Sequence, residues 1–216
     1  MFVPNGVVYH QGDLYVALID QEFRYNDIDL ENVTEPIPTA DADEIVLAHT
    51  YLHNSTWHGW RYLVAKNDSL YIAIGAPCNV PGDGDANCMA DPDKMGAIHT
   101  LGPLHTDTGR RTNSSEITSG LVAKGVRNTV GMTFHPVTGD LWFTDNGRDD
   151  MKRPFGHLNY PPDELNHLSL PHSDFGFFNC YGYDLNDPQF FNGSCREAGY
   201  VGAAQELDAH AAALGM

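Results

Sequence analysis

A short strand motif that occurs three times constrains the fold more than any other feature of the sequence. The segments GDLYVALI, DSLYIAIG and GDLWFTDNG each contain a turn, a leucine followed by an aromatic residue, and a run that favours strands. Each follows another strand-like run, so each motif completes a predicted hairpin. The aromatic residues Tyr15, Tyr71 and Trp142 lie 56 and 71 residues apart. This spacing favours the blades of a β-propeller with long insertions, and an ordinary β-sandwich with similar hairpins is the alternative.

The rest of the chain also predicts an all-β fold, because helical periodicity is scarce and short runs end at glycine, proline, asparagine or aspartate. Predicted strands cover residues 6–10, 13–19, 44–49, 60–65, 70–75, 97–101, 129–135 and 140–145. We expect loop-like insertions at residues 20–43, 76–96 and 146–195, where function often lies. Only the tail at residues 203–214 has a helical composition, and a high alanine content is a weak indication of a helix.

The charge balance narrows the class of partner. The chain has 29 acidic and 12 basic residues, which gives a formal net charge of −17. A surface of this sign repels the phosphates of nucleic acids and anionic membranes. No apolar run approaches the roughly 20 residues that a membrane span needs. We therefore expect neither a nucleic-acid partner nor a membrane span.

The four cysteines form two local pairs, Cys78 with Cys88 and Cys180 with Cys195. Two loop-closing pairs predict disulfides and an oxidising compartment, extracellular or periplasmic. Free thiols and a zinc site are the alternatives, but cysteine pairs in zinc sites are usually only about two to four residues apart. Five Asn-x-Ser/Thr sequons permit glycosylation in a secreted protein: Asn32, Asn54, Asn67, Asn113 and Asn192.

Both ends of the sequence favour a fragment of a longer secreted chain. The first residues lack the basic and apolar regions of a signal peptide and enter a strand pattern almost at once. The closing AHAAALGM stops without a cap or a polar tail. We therefore expect residues 1–216 to be one partial domain.

Several polar residues near the predicted strand ends are candidates for a site. His58 is followed by Gly59, a small neighbour that would leave one side of the imidazole open to act as a general base. An incidental role is equally open for one histidine among 11. Arg127, followed by Asn128, offers a fork of donors that suits a carboxylate, or it simply pairs with a nearby aspartate.

Two acidic segments are candidates for a calcium site. The turn DNGRDD at residues 145–150 can present main-chain carbonyl oxygens to calcium, although a solvated acidic turn is the simpler interpretation. The segment 82–93 departs from the EF-hand pattern, with Lys94 where a bidentate acid belongs, and is predicted to be a solvated loop. Asp163 and Asn166 either support a neighbouring site or cap a turn.

The order of these features is more specific than any one of them. A His-Gly pair precedes the strand that ends in IGAPCN, followed by Arg-Asn, a hairpin, Asn-Gly, DELN and finally FGF with CYG. This order resembles the soluble quinoprotein glucose/sorbosone dehydrogenases, which bind pyrroloquinoline quinone (PQQ). The sorbosone and pyranose dehydrogenase branch is the most similar, through IGAPCN and the closing AQELDAHAAALGM. The resemblance covers nearly the whole chain.

The resemblance implies a six-bladed β-propeller with PQQ and calcium at one end of its channel. Because a blade takes about 40–50 residues or more, the chain would be an incomplete central portion of about three to four blades. The implied function is oxidation of an aldose or sugar aldehyde by hydride transfer to calcium-bound PQQ, with an external electron acceptor. The cationic residues that hold the quinone carboxylates would come from later blades, which this sequence lacks.

The resemblance also implies roles for individual residues. His58 would be the general base, while Arg127 and Asn128 would contact the quinone. The main-chain carbonyls of Gly147 and Arg148 would hold calcium, with Arg148 at a position that is proline in the glucose-oxidising branch.

One position departs from the family pattern. Ala76 stands where some members carry an acid that orients the histidine. Asp163 is therefore the candidate that orients His58 or supports the calcium.

Two other classes of function remain open from the sequence. A non-catalytic extracellular β-propeller that binds a protein partner would not need His58, Arg127 and Asn128 together, so their joint presence favours the enzyme. A calcium-dependent lactonase-type propeller would need acidic ligands converging on the channel, and no clear set is visible.

Overall fold

The computed structural model describes residues 4–38, 41–45, 52, 55–82, 88, 91–151 and 160–216. Within these ranges the regular structure is almost wholly strand, which confirms the all-β prediction. The strands are β1 Gly6–His10, β2 Asp13–Ala17, β3 Glu22–Tyr25, β4 Ala42–Glu44, β5 Leu63–Lys66, β6 Ser69–Ile74, β7 Ala97–Gly102, β8 Thr118–Lys124, β9 Gly131–Phe134, β10 Leu141–Asp145, β11 Glu164–Leu168, β12 Ser173–Asp174, β13 Cys180–Tyr181, β14 Leu185–Asn186 and β15 Gln205–Glu206. A 3-10 helix, Ser114–Glu116, precedes β8.

Three antiparallel sheets follow one another along the chain. The first has the order β1-β2-β3-β4 and the second has β5-β6-β7-β8, with the short β12 added parallel to β8. The third has β9-β10-β11-β15, and β13 and β14 form a separate hairpin. Up-and-down sheets of four strands are the repeating unit of β-propellers, so the architecture is propeller-like.

The repeated motif predicted the centre of each sheet correctly. The three motif segments form β2, β6 and β10, the second strand of each sheet, and each pairs with the strand before it in an antiparallel hairpin. Alternating burial explains the success for β2, where every second side chain is buried. The predicted strand at 44–49 lies mostly outside the described residues.

The expected loop insertions and the helical tail are wrong in part. Segments 20–43 and 146–195 contain β3 and β11, which supply the third strand of the first and third sheets. Their buried faces carry polar residues, Glu22 with Arg24 and Glu164 with Asn166, so the usual apolar alternation is absent. The tail contains β15 and no helix among residues 203–214, because its amides bond to other segments.

Two apolar clusters join the sheets in sequence order. Tyr15 and Ile45 of the first sheet region pack with Leu70 and Ile72 of the second. Ile98 of the second packs with residues of the third, among them Met132, Leu141 and Phe143. Each buried side chain of this size stabilises the fold by about 1.5–3 kcal/mol. The packed sheets therefore hold the ends of their strands in fixed positions.

Both predicted disulfides are present, between Cys78 and Cys88 and between Cys180 and Cys195, so the zinc and free-thiol alternatives are wrong. Among the described residues, no helix is long and apolar enough to cross a membrane. The segment 82–93 lies largely outside the described residues.

Candidate functional site

A cavity of about 330 Å³ lies where several strands of the second and third sheets begin or end. Its walls come from the loop before β5, the segment before β9, the turn after β10, the residue before β11 and the chain tail. The lining residues are Thr56, Trp57, His58, Arg127, Asn128, Asn146, Gly147, Asp149, Asp163, His210 and Ala212. Five of the six predicted site residues are therefore brought together from distant parts of the sequence.

The sixth predicted residue, Arg148, directs its side chain elsewhere. Its guanidinium donates to Asp187 Oδ2 at 2.7 Å and to Gln189 Oε1 at 3.2 Å, in a separate cavity. The Arg148–Asp187 ion pair is almost fully buried, with side-chain exposures of 7% and 1%. The side chain therefore has a structural partner, and the role predicted for Arg148 concerns its main-chain carbonyl alone.

The imidazole of His58 has a defined orientation. Its Nδ1 lies 2.7 Å from the main-chain carbonyl oxygen of Ala76. Because a carbonyl only accepts, Nδ1 donates the proton, and Nε2 is the basic nitrogen. The sequence suggested a side-chain partner for this histidine, and the main chain of Ala76 supplies an orienting contact.

The room for His58 comes from Gly75. A Cβ atom added to Gly75 would lie 2.7 Å from His58 Cβ and 3.1 Å from Asn128 Oδ1, so a larger residue would displace the site. Gly59 is buried against Ser55 and Ile19. Gly75 thus makes room for the Cβ and carbonyl of His58, and the effect of Gly59 on the imidazole stays a prediction.

Arg61 holds the His58 loop against the first sheet. Its guanidinium is fully buried and donates from Nε to the carbonyl of Ile19 at 3.0 Å and from Nη1 to the carbonyl of His58 at 3.0 Å. Burial lowers the pKa of Arg61 to about 10, and the nearby Glu22 opposes that shift. The loop that carries His58 is thus tied to a buried cation.

Asp145, at the end of β10, positions the next two predicted residues. Its carboxylate accepts the main-chain amide of Arg127 at 2.7 Å and that of Asn128 at 2.6 Å. Burial raises the pKa of Asp145, while the two amide bonds and the Arg127 charge oppose the rise. The carbonyl of Arg127 in turn accepts the amide of Ala76 at 2.8 Å, which links this segment to β6.

The buried guanidinium of Arg127 is held on several sides. Nη2 donates to Asn79 Oδ1 at 2.8 Å, Nη1 donates to the carbonyl of Asn146 at 3.3 Å, and Asp149 lies 3.3 Å away. Burial lowers the pKa of the guanidinium. Asn79 follows the disulfide residue Cys78, so the disulfide holds the loop that positions Arg127. The alternative for Arg127, pairing with a nearby aspartate, is therefore observed, and the Arg127–Asp149 pair lies at the cavity.

Asp163 joins the Gly147 turn to the chain tail. Its Oδ1 accepts the amide of Gly147 at 2.8 Å and its Oδ2 accepts the amide of Ala212 at 2.6 Å. A Cβ added to Gly147 would lie 2.8 Å from the carbonyl oxygen of Pro162, so this close approach requires glycine. Asp163 is thus a positioning residue for the turn that was predicted to hold calcium.

The tail supplies residues that the sequence did not single out. His210 lines the cavity, with Nδ1 3.8 Å from Asp149 Oδ1. The tail lies against β9, where a Cβ added to Gly131 would lie 2.8 Å from the backbone of Gly215. Nothing local in the alanine-rich segment AHAAALGM indicates a bond to Asp163.

Two oxygen atoms at the cavity have unused acceptor capacity. Asn128 Oδ1 and Asn146 Oδ1 are buried and have no hydrogen-bond partner among the described residues. In the described part of the chain, no group of three or more His, Cys, Asp or Glu residues could hold a metal. A cation bound here would therefore rely on amide and main-chain oxygens, which are ligands that calcium accepts.

Comparisons with known proteins support the fold. Two solved structures resemble the fold at 17% identity: the calcium structure of the Trichoderma reesei carbohydrate-active enzyme of family AA12, with a TM-score of 0.72, and the holo PQQ domain of pyranose dehydrogenase from Coprinopsis cinerea, with 0.68. They cover 97% and 98% of this chain. An uncharacterized protein of Borreliella burgdorferi is 29% identical over 99% of it.

The chain spans 51% of the Borreliella protein and 57% and 56% of the two solved structures, so it corresponds to little more than half of each. A family model described as TrAA12-like matches residues 54–210. That match covers most of the chain and includes every lining residue of the cavity except Ala212. The chain belongs to the TrAA12-like family.

Proposed function

We propose that the cavity belongs to a quinoprotein that oxidises an aldose or sugar aldehyde, with PQQ and calcium as cofactors. The observation that carries the proposal is the convergence of His58, Arg127, Asn128, Gly147 and Asp163 on one cavity. The sequence motifs predict the same five residues. The calcium structure of the Trichoderma reesei enzyme and the holo PQQ domain of the Coprinopsis cinerea pyranose dehydrogenase support the same cofactors.

The donor set fits both groups. Arg127 and the side chain of Asn128 would contact the quinone, whose oxygens suit a guanidinium fork. The carbonyls of Gly147 and Arg148 would hold calcium, and the unpaired Asn146 Oδ1 offers a further oxygen. When bound, the quinone supplies a two-electron acceptor and calcium supplies a Lewis acid.

His58 would take the proton of the sugar hydroxyl at Nε2. The Ala76 carbonyl fixes the tautomer by accepting from Nδ1, and Arg61 fixes the backbone by donating to the His58 carbonyl. A base held in this way needs no rearrangement before proton transfer. Asp145 and Asp163 act one step away, because they hold the amides of the residues that line the cavity.

The wider features of the protein are part of the same proposal. The three sheets would be successive blades of a six-bladed propeller, of which this chain is an incomplete central portion. Two disulfides and four exposed sequons favour an extracellular or periplasmic location. The fifth sequon, at Asn54, lies outside the described residues. An external electron acceptor would reoxidise the cofactor.

The test is reduction of an artificial dye by the full-length protein that contains this chain, supplied with PQQ, calcium and a panel of sugars. His58→Ala should lower kcat by about 10²–10⁴-fold, the range expected for loss of a general base. The control is His172→Ala, because His172 is exposed, has a similar backbone conformation with φ 63 against φ 50, and does not line the cavity.

Two outcomes would count against the proposal. Unchanged activity in His58→Ala would show that another group is the base. Absence of both quinone binding and dye reduction would favour the alternative, a non-catalytic extracellular propeller that binds a protein partner.

A further inference from the structure

Trp57 is an exposed aromatic residue at the edge of the cavity. Half of its surface, 50%, is accessible, and it lines the cavity beside polar residues. Its ring centroid lies 5.4 Å from that of His58, with an angle of 49° between the planes. Among the described lining residues it is the one Phe, Tyr or Trp side chain. A half-exposed indole therefore lies at the cavity beside the candidate base.

The chemistry of the rim matches a pyranose ring. A sugar ring has polar hydroxyl edges and a flat face of C–H groups, and an indole is the largest flat apolar surface among the side chains. The other walls, Thr56, Asn128, Asn146 and Asp149, provide partners for hydroxyl groups. The cavity therefore combines one apolar platform with several hydrogen-bonding groups.

We propose that Trp57 is the stacking platform of the substrate subsite and selects neutral sugars in the closed pyranose form. This inference rests on the proposed function, since it names the substrate class of the same site. The face of the ring would lie on the indole and one hydroxyl-bearing carbon would be directed toward His58. The backbone is suited to this task, because the amide of Trp57 donates to Ser55 Oγ at 3.1 Å and fixes the loop.

The charge at the rim favours neutral sugars over sugar acids. Asp149 is 54% exposed at the cavity, and it already pairs with Arg127 at 3.3 Å. An anionic sugar would meet this carboxylate and a chain of net charge −17.

Trp60 provides a matched control three residues away. It is 59% exposed, similar to Trp57, but it does not line the cavity. The third tryptophan, Trp142, is stacked on His167 at 4.6 Å. Three tryptophans in the chain make fluorescence a usable readout.

The first measurement is a fluorescence titration of quinone-free protein with glucose, its open-chain analogue sorbitol and glucuronate. We expect glucose to change the emission of the wild type and of Trp60→Phe, but not that of Trp57→Phe. Sorbitol and glucuronate should have little effect. A change that persists in Trp57→Phe, or an equal response to sorbitol, would overturn the proposal.

The second measurement is steady-state dye reduction. Trp57→Ala should raise KM about tenfold with kcat changed less than about twofold, Trp57→Phe should lie between, and Trp60→Ala should match the wild type. Equal KM values in Trp57→Ala and the wild type would refute the stacking role while leaving the proposed function intact. A glucose response in fluorescence without any dye reduction would refute the proposed function while leaving the subsite.

Discussion

Asp145 and Glu22 are both buried carboxylates on strands, yet their surroundings differ completely. Each oxygen of Asp145 accepts a main-chain amide, and the bonds measure 2.7 and 2.6 Å. In the described part of the chain neither oxygen of Glu22 has a hydrogen-bond partner, and burial raises its pKa to about 8. Burial raises the pKa of Asp145 as well, but there the amide bonds oppose the rise.

Asp145 therefore positions the main chain, whereas the carboxyl group of Glu22 holds no other described group in place. Asp145 ends β10 beside the cavity and fixes the backbone of Arg127 and Asn128. Glu22 lies in β3, near the buried Arg61, and its raised pKa of about 8 favours the protonated form in the folded protein at neutral pH. The carboxylates at the candidate site therefore organise loops, whereas the carboxyl group between the first two sheets does not.

Conversion of each acid to its amide tests this contrast most strongly. Asp145→Asn places an NH₂ donor against a main-chain N–H donor and leaves one buried amide unsatisfied, so we expect a loss of about 2–3 kcal/mol in the free energy of unfolding. Glu22→Gln should instead raise it, by up to about 3 kcal/mol at pH 7, because the folded state already favours a neutral group and the variant removes the ionisation that stabilises the unfolded wild type. Urea unfolding measures both, and equal losses in the two variants would contradict the comparison.

The pH dependence of stability provides a further test of the contrast between Asp145 and Glu22. Glu22 has an ordinary pKa of 4.5 and a folded pKa of about 8. Between these values the unfolded chain releases the proton and the folded chain keeps it. The contribution of Glu22 is therefore complete below the lower value and is lost as pH rises toward the higher one, by up to about 1.4 kcal/mol per pH unit.

The measurement is the difference in unfolding free energy between the wild type and Glu22→Gln across this pH range. As pH rises, the wild type should become steadily less stable relative to Glu22→Gln. Glu164, whose pKa is also raised to about 8, is present in both proteins and cancels. A difference that does not vary with pH would mean that Glu22 titrates normally.

The smallest effect is expected for two asparagines, Asn79 at the candidate site and Asn26 next to the first sheet. Asn79→Ala removes the acceptor of Arg127 Nη2 and of the Asp149 amide. Asn26→Ala removes a donor to Asp43 at 2.8 Å in the first sheet. Each should cost about 1 kcal/mol of stability. Only Asn79→Ala should also lower dye reduction, by about tenfold, and a similar decrease in Asn26→Ala would show that the activity loss reflects stability alone.

The sequence predicted the strands whose buried faces are apolar, and it missed those whose buried faces are polar. Tyr15 and Phe143 mark β2 and β10 clearly, since both are buried in apolar clusters. In β3 and β11 the buried positions hold Glu22 and Glu164, so alternation indicates the wrong face. Among the described residues the Glu22 carboxyl group has no hydrogen-bond partner, and Glu164 accepts the amide of the distant Gly182 at 2.6 Å, so local reasoning could not mark either position as buried.

The same limit applies to the site. The order of motifs identified His58, Arg127 and Gly147, because each stands next to a recognisable strand. Asn79 and His210 were missed, since their proximity to Arg127 and Asp149 depends on how a disulfide loop and the chain tail pack. The helical expectation for the tail failed because its amides bond to other segments, among them Asp163.

The most direct test of the account is equilibrium binding of PQQ, with and without calcium, to the full-length protein that contains this chain, followed by absorption. We predict saturable binding that is lost when calcium is chelated and is weakened about tenfold or more by Arg127→Lys, which keeps the charge and removes the fork. Arg111→Lys should bind normally, because Arg111 pairs with Asp13 and Asp27 outside the cavity. Binding that does not depend on calcium and is equal in Arg127→Lys and Arg111→Lys would contradict the assignment of this cavity as a quinone site.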